Sequence, residues 1–450
     1  MRIFPAPLDI GDKEGFSPEK DIFGRKGIGE GLTNVVSRVE DPLVIALDSE
    51  WGNGKTTFLK MWAGSLRSEG FPVVFFDAYE HDYADDAFTA LAAEIVALAK
   101  DKKKDKEPAS KKFVEKSLGA AKIILRSGVK LGVKLGTAGI LEAEDLGNIS
   151  KDIGQELSNL EDKYLGEIIT KKEEERLTLK AFREALQNLP ELLTDNATSA
   201  PRPLVVIIDE LDRCRPPFAL QVLERMKHFF SVPNVHFVLG AHLGQLRNSV
   251  QAVYGGGIDA NKYLQKFIHL SIFLVDSALH PYQRSTAKYV EYLISELQIQ
   301  TTRSDFIKNC LKHVSQHTPL SLRAIERIAA NIATAYAFKS EKIYCPDQIL
   351  VGLCIIKVVD PQLYAQLKMG EKNPAKVATA LCLNQPWEES EKHSLSNLEK
   401  AWRYFGDPSV SEDDPQVRGF GVRLFEVSLG RFDVVSFVAR SVVDQLASPK

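Results

Sequence analysis

One stretch near the start of the chain limits its possible folds more than any other. An apolar run ends at Asp48, a loop containing Gly52 and Gly54 follows, and Lys55-Thr56 opens a segment with helical spacing. A strand, a glycine-containing loop and a helix in this order are the context of a phosphate-binding loop, or P-loop. The amides of the loop and of the helix N-terminus would point at an anion. The sequence therefore predicts a binding site for a nucleoside triphosphate.

The side chains of this loop indicate how the phosphates would be held. We expect Lys55 to reach the β- and γ-phosphates and the Thr56 hydroxyl to bind Mg²⁺. Other residues expected to contact the nucleotide are Glu50, Trp51, Gly52, Asn53, Gly54 and Thr57. The usual pattern has glycine where this chain has Ser49, and we expect serine to adopt that backbone conformation at a steric cost. Until a second motif is found, a glycine-rich turn before an ordinary helix stays open as the alternative.

A second motif follows about 150 residues later. Residues 204–208 form a continuous apolar run, typical of a strand buried on both faces of a parallel sheet. Asp209 and Glu210 come directly after it, at the end of the strand where open α/β sheets bind ligands. Asp209 is expected to hold Mg²⁺ through water, and Glu210 to orient the attacking water. Acidic residues after a strand are also common in solvated turns, but the two motifs together favour nucleotide binding.

The chain resembles the KAP family of P-loop NTPases. The resemblance extends over about residues 20–340 and rests on five segments, at residues 50–59, 76–80, 209–214, 234–239 and 263–268. It implies an α/β NTPase core related to the STAND and AAA+ ATPases, followed by a helical region. It also implies ATP and Mg²⁺ as cofactors, and a role in bacterial phage defence or in membrane-linked complexes.

The same resemblance draws attention to five more residues. Arg323 lies where relatives carry a lid arginine that reports the nucleotide state. Arg25 lies in a segment that runs near the base in related ATPases, so it either contacts the base or a partner or is a plain surface arginine. Arg213 is a candidate arginine finger across a subunit interface; alternatively it pairs with Asp212 or Glu210. Glu80 either contacts Mg²⁺-bound water or caps a helix. His242 replaces the aspartate common in the family, so it is either a hydrogen-bond donor to phosphate or a structural histidine.

The predicted fold class is α/β: a P-loop NTPase with a mainly parallel sheet sandwiched by helices. A long helical insertion separates the two motifs, and an α-helical region follows the core. The predicted domains are an N-terminal arm over 1–20, the NTPase core over 21–100 and 201–279, the insertion over 101–200, and a helical lid and docking domain over 280–450. Within the last, a polar connector over 385–415 and a helical docking surface over 417–446 are expected.

The insertion begins with a strongly basic segment. Between Lys100 and Lys134 the chain has twelve basic and four acidic residues, and Lys122, Arg126, Lys130 and Lys134 recur every four residues. On a helix these four would form a stripe. Three interpretations stay open: a solvated helix face, contact with an anionic membrane surface, and docking to nucleic acid or an acidic partner. The lack of interleaved aromatic residues counts against stacking on single strands.

Composition limits the remaining possibilities. A formal net charge of −3 gives no global electrostatic reason to expect nucleic acid. The five cysteines form no C-x-x-C pair, which argues against zinc and fits a reducing compartment. The N-terminus lacks the apolar core of a signal peptide, and no run of about 18 apolar residues predicts a membrane-spanning helix. We therefore expect a cytoplasmic protein, with peripheral membrane contact as a further hypothesis.

The function predicted from the sequence is an ATP-driven switch or motor within a larger complex. An enzyme that hydrolyses ATP is the first hypothesis, and a nucleotide-occupied scaffold with negligible turnover is the second. A nucleic-acid or membrane-surface binding factor is the third. Protein partners or self-association are expected, but the sequence does not identify them.

Overall fold

The structure of the protein is a computed structural model. It describes residues 5, 8–83, 87–101, 177, 180–193, 201–229, 231–274, 281–297, 301–338, 345–411, 414, 417 and 430–444. The basic stripe predicted over residues 122–134 lies outside these ranges, so that hypothesis stays a prediction.

The core of the N-terminal half is a five-stranded parallel sheet. Its strands are β1 (Val44–Asp48), β2 (Val73–Asp77), β3 (Leu204–Asp209), β4 (Val235–Ala241) and β5 (Leu270–Phe273). Their spatial order is β2-β3-β4-β1-β5, and every neighbouring pair is parallel. Strand β4 therefore separates the strand that leads into the P-loop from the strand that ends in Asp209. The predicted parallel sheet is confirmed.

Helices surround the sheet and continue beyond it. They are α1 (Lys26–Arg38), α2 (Lys55–Ser68), α3 (Ala87–Asp101), α4 (Leu189–Leu193), α5 (Pro216–Phe229), α6 (Leu243–Tyr254), α7 (Ala260–Leu264), α8 (Pro281–Leu297), α9 (Thr301–His317), α10 (Leu322–Phe338), α11 (Asp347–Val359), α12 (Pro361–Lys368), α13 (Pro374–Ala380), α14 (Lys392–Gly406) and α15 (Val434–Val438). Short 3-10 helices span Leu211–Arg213 and Arg431–Asp433, and a π-helix spans Ala439–Val443.

The side chains of each strand point alternately to the two faces of the sheet, so the hydrophobic core has a part on each face. Ile45 and Leu47 of β1 pack with α1 and α2, whereas Val206 and Ile208 of β3 pack with residues of α3, α5 and α6. Because successive side chains of a strand point to opposite faces, both faces need apolar residues. This explains why β1, β3 and β4 are buried along their whole length.

The part of residues 1–20 that is described crosses the outside of α2. Gly64 of that helix passes so close to the backbone of Glu14 that a Cβ at Gly64 would lie 2.0 Å from the Glu14 carbonyl oxygen. The Phe16 ring packs against Phe58 at a centroid distance of 5.5 Å. The segment thus braces the helix that begins at the P-loop. The limits predicted for the domains themselves stay a prediction.

The helical half has its own hydrophobic core, and one prediction for it was wrong. The expected connector contains α14, whose Leu395, Leu398 and Phe405 are fully buried against α11 and its neighbours. Its apolar residues recur at helical spacing, which the polar residues around them obscured. Val434 and Val438 also lie in this core. The docking surface expected over 417–446 stays a prediction, since residues 418–429 lie outside the described ranges. No helix among the described residues is long and apolar enough to cross a membrane.

Candidate functional site

The P-loop is shaped by two glycines in the left-handed region of the backbone. Gly52 has φ +83° and Gly54 has φ +75°, and α2 begins directly after Gly54. Residues with a Cβ resist these values, so glycine is needed at both positions. Ser49 does not have a positive φ, and the steric cost expected for serine is therefore absent. The departure from the usual pattern leaves the loop unstrained at this position.

Lys55 is a buried cation at the bottom of the loop. Only 9% of its surface is exposed, and its Nζ donates a hydrogen bond to the Ser49 carbonyl oxygen. Burial lowers the pKa of this amine, and the carboxylates of Asp212, Asp209 and Asp48 oppose that effect. Three carboxylates and one ammonium thus lie together at this end of the pocket. Polyanionic phosphates brought by a metal ion would suit such a site.

Asp209, at the end of β3, is the most buried acid of the site. It is 1% exposed, and its Oδ1 accepts a hydrogen bond of 2.9 Å from the Glu210 amide. Among the described residues, none donates a hydrogen bond to its buried Oδ2. Burial raises the pKa of this carboxyl to about 6, while the nearby Thr56 hydroxyl and the Glu210 amide partly oppose the rise. An unpartnered buried carboxylate oxygen beside a hydroxyl is a donor set suited to Mg²⁺. Asp209 and Thr56 thus fit the metal role predicted for them.

Gly240 provides the space that this arrangement needs. It lies opposite Asp209 in the register of β3 and β4. A Cβ at Gly240 would lie 2.5 Å from Asp209 Oδ1 and 2.4 Å from Leu59 Cδ1 of α2. Only hydrogen fits between the carboxylate and the helix that begins with Lys55.

Glu210 and Arg213 form an ion pair at the mouth of the site. Glu210 has φ +58°, one of three positive values among the described non-glycine residues. The Nη1 atom of Arg213 lies 2.8 Å from both Glu210 carboxylate oxygens. Burial raises the pKa of Glu210, and Arg213 opposes this. Of the two roles left open for Arg213, the described chain therefore contains the pairing with Glu210.

Trp51 connects the P-loop to the segment after β3. Its Nε1 donates a hydrogen bond to Asp212 Oδ2, and its ring meets His242 edge-on at a centroid distance of 6.2 Å. His242 immediately precedes α6. The amide of Leu243 donates to Asp48 Oδ1 at 3.0 Å, which fixes the start of α6 to the end of β1. The ends of β1, β3 and β4 are thus joined through side chains.

Arg25 holds the other side of the loop. It is 5% exposed, and its Nη1 donates a hydrogen bond of 2.8 Å to the Asn53 carbonyl oxygen. The guanidinium also lies over the Phe23 ring, 4.5 Å from its centroid. Asp21 accepts hydrogen bonds from the amides of Arg25 and Lys26. Arg25 therefore fixes the loop through a backbone carbonyl, a role that a plain surface arginine would not have.

The helical half contributes a wall of the pocket next to the P-loop. Arg323, at the start of α10, lies against Gly52, and a Cβ at Gly52 would be 2.7 Å from Arg323 Cβ. Leu322 lies beside Gly54. Arg323 also lowers the pKa of Glu210 through its charge. The lid arginine predicted from the family pattern is therefore next to the P-loop.

Lys55, Asp209 and Arg323 line the same pocket, which has a volume of about 520 Å³. Beyond the phosphate end, its wall includes Ile22, Phe23, Tyr289, Tyr292 and Glu326. The rings of Phe23 and Tyr289 lie 5.9 Å apart, and the Tyr289 hydroxyl donates to Glu326. Sequence reasoning missed this aromatic part of the pocket. The three-residue spacing of Tyr289 and Tyr292 was a usable signal, because it places both rings on one helix face.

The predicted site residues do not all contribute to the pocket. Glu50, Trp51, Thr56 and Thr57 line it, as do both P-loop glycines, Lys55, Asp209, Glu210, Arg213 and Arg323. Asn53 is not among the lining residues and contributes its carbonyl group to Arg25. Glu80 is exposed and is not part of the lining either; its amide donates to Asp77 Oδ1 in a turn after β2. The turn explains why an acid is tolerated there.

Comparisons with known proteins place this site in a family. The sequence profile of the KAP family P-loop domain matches residues 25–338, which include every pocket residue after Phe23. A search of curated proteins gives no significant match. Among solved structures, the ORC2 protein of Aeropyrum pernix, determined as ADPNP–ADP complexes, is similar at a TM-score of 0.36 and 14% identity, covering 99% of this chain and 97% of that one.

Proposed function

Because the chain belongs to the KAP family of P-loop NTPases, we propose that it binds ATP with Mg²⁺ and hydrolyses it, and that the nucleotide controls the position of its helical half. The observation that carries the proposal is the meeting of Lys55, Thr56 and Asp209 in one pocket. They come from two segments about 150 residues apart. In the part of the chain that the structure describes, no donor satisfies the buried Oδ2 of Asp209, whereas a metal-bound triphosphate would.

The residues of the phosphate end have complementary roles in this proposal. The amides of the loop between Gly52 and Gly54 and the N-terminus of α2 bind the phosphate oxygens. Lys55 neutralises the β- and γ-phosphates, while Thr56 and Asp209 would hold Mg²⁺. The metal, when bound, supplies Lewis-acid stabilisation of the phosphate charge. Arg25 and Trp51 keep the loop in the geometry that these contacts need.

Hydrolysis requires a water molecule in line with the bond that breaks. Water oxygen forms a bond to the γ-phosphorus, and the bond from that phosphorus to the β–γ bridging oxygen breaks, which releases ADP and phosphate. Glu210 is the acceptor for the hydrogen bond, and in turn the proton, of this water. Its burial raises its pKa, which makes the carboxylate a better base than an exposed glutamate.

Arg323 is the proposed link to the helical half. It is close to Gly52 and acts electrostatically on Glu210, so it would respond to charge arriving in the loop. Movement of α10 would then change the surface that the helical region presents. Association with a protein partner or with a second copy of the chain is part of this proposal. ATP is favoured over GTP by the family resemblance alone.

A nucleotide-occupied scaffold is the second candidate, and the pairing of Glu210 with Arg213 favours it. An enzyme whose water-orienting carboxylate is held in an ion pair would hydrolyse ATP slowly. The two candidates share nucleotide binding and differ in turnover.

Phosphate release separates them. We expect wild-type protein to release phosphate from ATP in the presence of Mg²⁺, and Lys55→Ala to reduce the rate to background because the phosphate charge is no longer neutralised. Lys60→Ala is the matched control, since Lys60 is an exposed lysine of the same helix. Wild type that is no faster than Lys55→Ala but still binds ATP in calorimetry would support the scaffold. Wild type that does not bind ATP would refute both.

A further inference from the structure

The ion pair between Glu210 and Arg213 is built into the local backbone. Glu210 immediately precedes a 3-10 helix, Leu211–Arg213, and Arg213 is its last residue; the Arg213 amide donates to the Glu210 carbonyl oxygen at 3.1 Å. Side chains three residues apart on such a helix eclipse each other. The left-handed backbone of Glu210 is uncommon for a residue with a Cβ and marks a position that its surroundings hold in place.

The pair occupies both carboxylate oxygens and only one guanidinium nitrogen. Nη1 of Arg213 is equidistant from Oε1 and Oε2 of Glu210, at 2.8 Å. Nε and Nη2 of Arg213 have no hydrogen-bond partner within the described ranges. The arginine charge lowers the pKa of this carboxylate and so makes it a weaker acceptor for a water proton, whereas the arginine keeps donors for a second anion.

The ion pair is also weak enough for Arg213 to exchange Glu210 for another anion. The two side chains are 33% and 18% exposed, so it is partly solvated and of modest strength. Arg213 lines the same pocket as Lys55, and its charge lowers the pKa of that lysine. A phosphate with two negative charges, held at Lys55, would compete well for a planar guanidinium.

From these observations we infer that Arg213 is a positioning residue that acts in its own subunit and exchanges partners. Without a γ-phosphate it holds Glu210 in the ion pair. When a nucleoside triphosphate binds, the guanidinium turns to the γ-phosphate and Glu210 is released to orient water. Hydrolysis removes the γ-phosphate, and the ion pair forms again. The inference rests on the proposed function and adds to it the event that couples the γ-phosphate to the water-orienting residue.

The exchange predicts a specific pattern of nucleotide affinities. Calorimetry with Mg²⁺ would compare a non-hydrolysable ATP analogue and ADP on wild type, Arg213→Gln, Glu210→Gln and the double variant. Arg213→Gln should weaken the analogue about tenfold more than ADP, because only the analogue has the γ-phosphate that the guanidinium contacts. Glu210→Gln should bind the analogue more tightly than wild type, because Arg213 no longer has to leave a partner. This gain should vanish in the double variant.

Two further variants make the experiment specific. Arg215→Gln is the matched control, because Arg215 pairs with Asp82 and does not contact Glu210. Its ratio of analogue affinity to ADP affinity should equal that of wild type. Arg213→Lys retains the charge without the planar group and should recover part of the ratio. Thermal unfolding of each variant reports whether it is folded.

Each outcome bears on the inference. If Arg213→Gln weakened the binding of ADP and of the analogue equally, the inference would be overturned. It would also be overturned if the tighter analogue binding of Glu210→Gln persisted in the double variant, since that gain would reflect charge repulsion alone. Recovery of hydrolysis on mixing Arg213→Gln with Lys55→Ala protein would place the arginine in the neighbouring subunit and overturn action in its own subunit. Wild type that binds neither nucleotide would refute the proposed function itself, which distinguishes the two failures.

Discussion

Gly52 of the P-loop and Arg323 of α10 pack against each other so closely that a Cβ at Gly52 would lie 2.7 Å from Arg323 Cβ. The contact joins the loop that would bind phosphate to the first turn of a helix in the helical half. A Cβ at Gly52 would also lie 3.3 Å from the Arg323 backbone nitrogen, so the loop packs directly on the start of the helix.

The first prediction concerns this contact. Gly52→Ala should abolish phosphate release and destabilise the protein by about 1–3 kcal/mol, because alanine meets Arg323 and also has to adopt φ +83°. Urea unfolding and phosphate release would measure the two effects. Gly256→Ala is the control, since a Cβ there meets no atom within 4 Å. A Gly52→Ala protein as stable and active as the control would contradict the direct contact.

The second prediction uses the raised pKa of Asp209. A carboxyl whose pKa is raised by folding stabilises the protein fully below its unfolded value of 3.8, and this contribution is lost as pH rises through about 6. Asp209→Asn cannot ionise and should therefore stabilise the nucleotide-free protein at pH 7.5 by up to about 3 kcal/mol. The gain should shrink between pH 6 and pH 4.

Urea unfolding at several pH values without nucleotide tests this prediction. Asp305→Asn changes an exposed aspartate and should have no comparable pH dependence. Stabilisation by ATP and Mg²⁺ should be lost in Asp209→Asn in spite of its greater intrinsic stability. An Asp209→Asn protein that is less stable than wild type at pH 7.5 would show that the carboxylate has a stabilising partner.

The third prediction concerns Arg25. Arg25→Ala removes the hydrogen bond to the Asn53 carbonyl oxygen and should raise KM for ATP about tenfold, with a smaller effect on kcat. We expect KM to change more than kcat because Arg25 fixes the loop and does not contact the reacting atoms. Lys26→Ala, which alters an exposed side chain one residue away, should leave both constants unchanged. A fall in kcat at unchanged KM would contradict this role.

The fourth prediction concerns Trp51, which is 43% exposed and lines the pocket. Its indole should report nucleotide binding by a change in fluorescence, whereas Trp62 and Trp402 are buried elsewhere. Trp51→Phe should remove most of this change and weaken binding, because Asp212 loses its donor. Trp387→Phe, in the helical half, should retain the change. A full response in Trp51→Phe would show that the ring does not sense the nucleotide.

The sequence predicted the parts of the site that depend on local pattern. The glycines, Lys55, Thr56 and Asp209 follow strands whose carboxyl ends must meet at one edge of a parallel sheet. Contacts between distant segments were not predictable in the same way. Nothing in the spacing of Arg25 indicates that it reaches the Asn53 carbonyl oxygen, and Trp51 gives no local sign of its bond to Asp212.

The helical half shows the same limit. The polar residues around α14 concealed its apolar face, because only about one residue in three of an amphipathic helix has to be apolar. Arg323 was found through a family pattern, and its packing against Gly52 could be known only from the folded chain. Helix packing depends on which faces meet, and periodicity does not determine this.

Gly240 gives the site a particular vulnerability. A single base change converts a glycine codon to an alanine codon, and the added methyl group would push either Asp209 or Leu59 out of position. The sheet and the three hydrophobic cores would remain, so the mutated chain should still fold. If the chain hydrolyses ATP as proposed, a variant that is folded but inactive is therefore one mutational step away from this sequence.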